Sequence, residues 1–101
     1  MKIYISGQIT GLTEKEYVNN FNYETLKLVG RTMVLRNDVI NPLDIIPLFG
    51  IKKWLFFMIS DIAALRKCTH IAMQKNWIES RGACIEYYCA KFIFKQKIIW
   101  L

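Results

Sequence analysis

The chain has 101 residues, 53% of them apolar and 22% charged, with a formal net charge of +6. That length is one domain, residues 1–101, with a single modest core, and the composition excludes a disordered or low-complexity chain. The basic residues are scattered, Lys52-Lys53 and Arg66-Lys67 being the densest spots, so no basic stripe forms and nucleic-acid binding is not expected.

Lys2-Ile3-Tyr4-Ile5-Ser6 is rich in β-formers, ends at Gly7, and reads as a first strand buried on both faces. It begins directly after Met1 with no cleavage site, so no signal peptide is expected. Gly7 to Gly11 is a turn with two glycines. Thr13 has the character of an N-cap, and Glu16 three residues on completes a capping box. The helix that follows carries Tyr17, Phe21, Leu26 and Val29 on its apolar face, and Gly30 is expected to close it. Val34-Leu35 and Val39-Ile40 are both strand-like; the second strand is placed at Val39-Ile40, which ends at Asn41-Pro42.

Lys53 to Cys68 reads as a second helix, with Trp54, Phe57, Met58, Asp61, Ile62 and Leu65 at i, i+3, i+4 spacing. Ser60 and Asp61 interrupt it and it is too short to span a bilayer, so no membrane association is expected. His70 to Gln74 is a third strand. Gly82 to Lys95, free of proline and rich in aromatics, Ala, Ile and Cys, reads as a buried helix, and Lys97 to Trp100 as a fourth strand. Strand and helix alternate throughout, which predicts an α/β domain with a parallel sheet and right-handed crossovers.

The segments that leave or approach strand ends are Gly7–Gly11, Asn41-Pro42 and Gln74–Gly82, and in a parallel sheet ligands collect there. Two acids stand behind them. Lys91 and Lys95 mark the solvent side of the last helix, so Glu86, nearly opposite, points inward. Gly82, one turn earlier on the same face, leaves a hollow above it, beside a helix N-terminus that favours anionic groups. Asp61 lies on the apolar stripe of the preceding helix, between Phe57 and Leu65 one turn to either side. Each acid also has a plain reading: Gly82 as a loop residue with Glu86 paired to a distant lysine, and Asp61 bonded to a neighbouring loop's backbone. Two carboxylates in a half-apolar pocket can divide the work of glycosidic cleavage, one attacking the anomeric carbon and the other assisting the leaving group. Burial would raise their pKa values and hydrogen bonds would lower them.

Three cysteines, Cys68, Cys84 and Cys89, form an odd set without metal-ligand spacing, and His70 is the only histidine. No metal is expected, and free thiols in a reducing cytoplasm fit the pattern. Trp54, Phe56, Tyr88, Phe92 and Phe94 are more apolar bulk than one sheet face can cover, which predicts a homo-oligomer, a dimer first.

Tyr4-x-x-Gly7-x-Ile9-x-Gly11, then Asn41-Pro42, then Asp61-Ile62-Ala63-Ala64-Leu65, then Trp77-x-x-Ser80-x-Gly82-Ala83-x-x-Glu86 together resemble the nucleoside 2-deoxyribosyltransferase superfamily. The likeness is greatest to its small bacterial and phage branch of unknown function, DUF4406, and spans nearly the whole chain. The resemblance implies a flavodoxin-like (Rossmann-like) three-layer sandwich with about four parallel strands in the order 2-1-3-4. It implies cleavage or transfer at the N-glycosidic bond of a (deoxy)nucleoside or nucleotide, with no metal or organic cofactor, in a dimer or higher oligomer. Glu86 matches the nucleophile that forms a glycosyl-enzyme intermediate, Asp61 the acid assisting the leaving base, and Tyr4 the tyrosine that hydrogen-bonds the nucleophile. Gly7, Gln8, Ile9, Thr10, Gly11, Asn41, Trp77, Ser80, Arg81 and Gly82 match substrate-lining positions.

The chain departs from these relatives at three points. Gln8 and Thr10 stand where the monophosphate hydrolases place Ser and Arg. Gly7-Gln8-Ile9 and Lys75-Asn76-Trp77 replace Gly-Pro-Ile and Pro-Gly-Trp. Larger members send a residue from beyond the last strand into a neighbour's site, a part that Tyr87 or Tyr88 would have to play here. The alternative to an enzyme is a catalytically inactive relative that binds a nucleotide or a protein partner.

Overall fold

The computed structural model describes residues 1–101. Its sheet has four parallel strands, β1 (Ile3–Ser6), β2 (Val39–Ile40), β3 (His70–Met73) and β4 (Lys97–Trp100), in the order β2-β1-β3-β4. Ile3 lies beside Val39 on one side and His70 on the other, and Ser6 beside Met73. Three helices connect the strands: α1 (Glu14–Thr32), α2 (Trp54–Arg66) and α3 (Arg81–Tyr88).

Strand order dictates which face each helix covers. The first crossover steps outward from β1 to β2, the second returns past β1 to β3, and the third continues to β4. Crossovers of one hand therefore put α1 on one face and α2 and α3 on the other. The packing agrees. Ile3, Ile5 and Ala72 meet Phe21 and Leu28 of α1, while Tyr4, Ile71 and Met73 cluster with Leu65 of α2 and with Ala90. β1 is buried on both faces for this reason. The result is the three-layer, flavodoxin-like arrangement, and its topological switch point lies between the carboxyl ends of β1 and β3.

The capping box at Thr13 forms: its Oγ1 accepts from the Glu16 amide at 3.2 Å, and the Glu16 carboxylate accepts from the Thr13 amide at 3.0 Å. Gly30 does not end α1. The helix runs to Thr32, whose hydroxyl donates to the Leu28 carbonyl at 2.7 Å, and Met33 closes it with a left-handed φ of 59°. Leu26 also departs from expectation. The buried stripe of α1 is Phe21, Thr25 and Leu28, at spacings of four and three, and Leu26 falls outside it, facing solvent. Val34-Leu35 adds no strand; Leu35 is exposed and leads into a 3₁₀ turn at Arg36–Asp38.

The last helix is shorter than the Gly82–Lys95 pattern predicts. α3 gives way to a π-helical turn over Cys89–Ile93, closed by the Phe94 amide donating to the Cys89 carbonyl at 2.8 Å, and Lys95 takes a left-handed φ of 52°. This wider turn delivers Gln96 to the end of α2, where its Nε2 donates to the carbonyls of Leu65 and Cys68 at 2.6 and 2.9 Å. Replacing Thr13 by Ala removes one side of the capping box and is expected to lower stability by about 1 kcal/mol. Urea unfolding should show a lower midpoint with an unchanged slope.

Candidate functional site

β1 and α3 together build the centre of the site. Side chains alternate along a strand, so Tyr4 and Ser6 project from the same face of β1, the face that α3 covers. Glu86 of α3 comes down on that face, 5% exposed. The Tyr4 hydroxyl donates to its Oε2, and the Ser6 hydroxyl donates to its Oε1 at 2.7 Å. No cation joins them. The single ion pair of the chain, Glu24 with Lys27, lies on α1, so a lysine partner for Glu86 is ruled out. Asp61, midway along α2, is 8% exposed, and its Oδ1 has no hydrogen-bond partner at all; the plain reading of Asp61 as a loop anchor loses that oxygen.

Both acids face a cavity of about 410 Å³ over the carboxyl ends of the strands. Gly7, Ile9, Thr10, Ser80 and Gly82 form part of its wall, as their positions in the sequence lead one to expect. Ser80 caps α3, its Oγ accepting from the Ala83 amide at 3.1 Å. The amides of Arg81 and Gly82, the first two of the helix, have no acceptor within it. Gly82 is tight rather than open: a methyl group there would stand 3.1 Å from the Met58 Sδ. The hollow above Glu86 thus has the start of α2 as its far wall.

The other expected residues support the site from outside its wall. Tyr4 lies behind Glu86, fully buried. Gln8 stiffens the first loop, its amide donating to Asn76 Oδ1 and its Nε2 to the Thr10 carbonyl. Gly11 turns that loop at φ 93°. Asn41 Oδ1 accepts from the Leu43 amide at 3.0 Å, bracing the turn that places Pro42 and Leu43 on the cavity wall. Arg81 lies at the outer opening, its guanidinium 4.4 Å from the centre of the Trp54 ring. Trp77 is elsewhere. It packs on Tyr87 and Trp100 with ring centres 4.9 and 5.8 Å apart, away from the cavity wall, because the Trp77–Glu79 turn directs it toward β4 rather than inward.

Sequence reasoning missed Ser6, although the two-residue period that places Tyr4 inward places Ser6 beside it. It also missed Tyr17 and Phe21 of α1 and Trp54, Phe57 and Met58 of α2 as walls. Their helical spacing reads equally well as core, and only tertiary packing separates the two roles. No three side chains of His, Cys, Asp or Glu gather into a metal-binding group, and no helix is long and apolar enough to cross a membrane.

Among protein families, the one described as "Domain of unknown function (DUF4406)" matches residues 1–99. The chain belongs to the DUF4406 family. No curated protein and no solved structure matches it.

The electrostatics of this DUF4406 site follow from burial without cations. Burial pushes Asp61 from its ordinary 3.8 up to about 7. Burial pushes Glu86 up from 4.5 to about 8, against the pull of the Tyr4 and Ser6 hydroxyls and with a further upward push from the charge of Asp61. Tyr4 is raised well above 10, by burial first and then by Glu86, so it stays a neutral donor. Between about pH 4 and pH 8 the folded protein therefore holds protons that the unfolded chain has released, and stability falls as pH rises through that window. Glu86→Gln removes its share of the loss. Urea midpoints should show the variant equal to wild type near pH 4 and more stable at pH 8, by an amount on the order of a few kcal/mol at most. A lower midpoint for the variant at pH 8 would contradict this electrostatic account.

Proposed function

We propose that this DUF4406 domain cleaves or transfers at the N-glycosidic bond of a (deoxy)nucleoside or nucleotide, with Glu86 as nucleophile. The observation that carries the reading is a buried carboxylate with two hydroxyl donors, no cation, and a second unpartnered acid on the same cavity. Burying two acids without compensation is destabilising, and such strain clusters where chemistry uses it. The likeness to the nucleoside 2-deoxyribosyltransferase superfamily at Tyr4, Gly7, Asp61, Ser80, Gly82 and Glu86 supports the same assignment.

The steps balance with these residues alone. The Glu86 carboxylate attacks the anomeric carbon while the bond to the base breaks, and Asp61 gives its proton to the departing base. Tyr4 and Ser6 hold the Glu86 oxygens so that one faces the sugar. A water molecule, or the ring nitrogen of a second base, then attacks the anomeric carbon of the glycosyl ester, returning a proton to Asp61 and releasing Glu86. The productive form carries one proton on the pair, on Asp61. In the free protein burial lifts Glu86 (about 8) above Asp61 (about 7), so this form is the less populated one, and the two hydroxyl donors on Glu86, against none on Asp61 Oδ1, are what keep it within reach.

A catalytically inactive nucleotide-binding relative is the second reading, favoured by Gln8 and Thr10 in the first loop and by Trp77 outside the cavity wall. Release of free base from a panel of deoxynucleosides and their 5′-monophosphates separates the two. The enzyme reading predicts turnover that falls by roughly three orders of magnitude or more in Glu86→Gln. It predicts a loss of about 10²–10⁴ in Asp61→Asn, smaller for bases that leave easily. The pH profile of wild type should fall on the alkaline side above about 8, where the pair loses its last proton, and Asp61→Asn should lack that limb. Binding without base release from any substrate would favour the inactive relative.

We also propose that two copies pair across α2 and α3. α2 is apolar on nearly every side, and a helix of that kind is buried all round. Here Leu55 and Ile59 of α2, with Tyr88 of α3 and Phe92 of the π turn, stand exposed on the outer surface. The three cysteines are free, a state that a cytoplasmic location would preserve. Sedimentation should report a dimer at micromolar concentration, and Ile59→Glu should shift it to monomer.

A further inference from the structure

The sequence scatters its bases, but the fold gathers many of them at one end. Strands begin, and the helices between them end, at the edge of the sheet opposite the cavity, so residues far apart in sequence meet there. Lys2 precedes β1, and its carbonyl accepts from the Thr69 and His70 amides at 2.9 and 3.1 Å. Lys97 opens β4 beside His70. Gln96 reaches the carbonyls of Leu65 and Cys68, which brings Lys95 toward Arg66 and Lys67 at the end of α2. Arg31 lies in the last turn of α1, and Arg36 in the turn that leads into β2. Each of these bases is exposed, and none forms an ion pair.

Acids do not answer them. Glu14 and Glu16 open α1, Asp44 follows β2 and Glu79 precedes α3, all at the cavity end. Glu24 is paired with Lys27, and Asp61 and Glu86 are buried. Asp38, just before β2, alone shares the end with the bases. Burial, and after it the charges of Lys97 and the amino terminus, hold His70 below its ordinary 6.5. Helix dipoles account for Arg31 and Arg66, which stand in last turns, but Lys2 and Lys97 begin strands, where no helix dipole acts. Like charges gathered in this way repel one another, so this end suits an anionic partner, and its apolar side chains say which. Met33 and Leu35, between Arg31 and Arg36, are 87% and 73% exposed, and Ile93, just before Lys95, is 59% exposed. The phosphates of a nucleic acid would leave these side chains in water. An anionic bilayer takes bases at its headgroups and apolar side chains just beneath them, and lying on it requires no spanning helix.

We propose that this end of the domain binds an anionic lipid surface, with its bases against the headgroups and Met33 and Leu35 inserted just below them. The cavity, at the far end, stays open to solvent, and neither of its acids takes part. The experiment is co-sedimentation of the protein with phosphatidylcholine vesicles that contain or lack phosphatidylserine. Wild type should bind only the vesicles with phosphatidylserine, and added salt should weaken the binding. Lys2→Glu, Arg36→Glu and Lys97→Glu together should weaken it by about a hundredfold or more. Lys52→Glu, Lys53→Glu and Lys75→Glu make the same change of net charge at the cavity end, farther away than salt lets charges act, and should stay within about threefold of wild type. Met33→Asn with Leu35→Ser leaves every charge in place and should cost about tenfold or more. All these positions are exposed, and thermal unfolding checks that each variant is folded. Equal losses in the two charge variants, or no loss in Met33→Asn with Leu35→Ser, overturn the proposal. So does binding to duplex DNA without binding to either vesicle, which would give this end to a nucleic acid, and so does failure to bind vesicles at low salt.

Discussion

The rest of the structure is arranged around one unfavourable fact, a carboxylate buried at Glu86 with no positive charge beside it. Two hydroxyls from β1 are its only strong partners, and they fix where α3 must sit on the sheet. That placement sets the rest in order. Ser80 must cap the helix next to the sheet edge, Gly82 must let Met58 close against it, and Gly7 must leave the end of β1 free of a side chain. A core designed for stability alone would place a methionine or leucine at position 86, since a buried charge without compensation is costly. The cavity beside Glu86 supplies the reason that packing does not.

Burial and hydrogen bonding act in opposite directions on this acid, and burial wins in the free protein, lifting it to about 8. For a nucleophile this is a useful tension. Hydroxyl donors hold the poorly solvated carboxyl group in place, and under the proposed reading an arriving sugar would complete its environment. Asp61 has no such donors at its free oxygen and is lifted to about 7, so near neutrality its neutral and charged forms are both populated, and the proposed reading draws on the neutral one as leaving-group acid. The two acids are alike in chemistry and differ in partners, a difference that the proposed reading uses to give them separate roles.

Much of this was legible in the sequence. Four β-rich runs separated by helical spacing gave the strand and helix order, and the glycines at 7 and 82 with Glu86 gave the centre of the site. The failures have physical causes. Gly30 reads as a helix stop, but a glycine ends a helix only where the chain must turn left-handed, and here Met33 does that. Leu26 is a large apolar residue on the wrong side of its helix, and the polar Thr25 takes the buried place by donating its hydroxyl to the Phe21 carbonyl. The π turn after Tyr88 leaves no composition signal, because it is set by where Gln96 must reach. Trp77 carries a family-like spacing yet packs into an aromatic cluster with Tyr87 and Trp100, a choice settled by contacts distant in sequence.

The central claim is that Glu86 itself forms a bond to the sugar. Its most direct test is mass spectrometry of the protein after incubation with a 2-fluorinated deoxynucleoside, whose fluorine slows breakdown of the glycosyl ester. The account predicts a fluorosugar mass added to wild type, absent from Glu86→Gln, and mapped to the peptide that contains Glu86. An enzyme that releases base from its natural substrates yet carries the sugar on Asp61, or never carries it, would contradict the account.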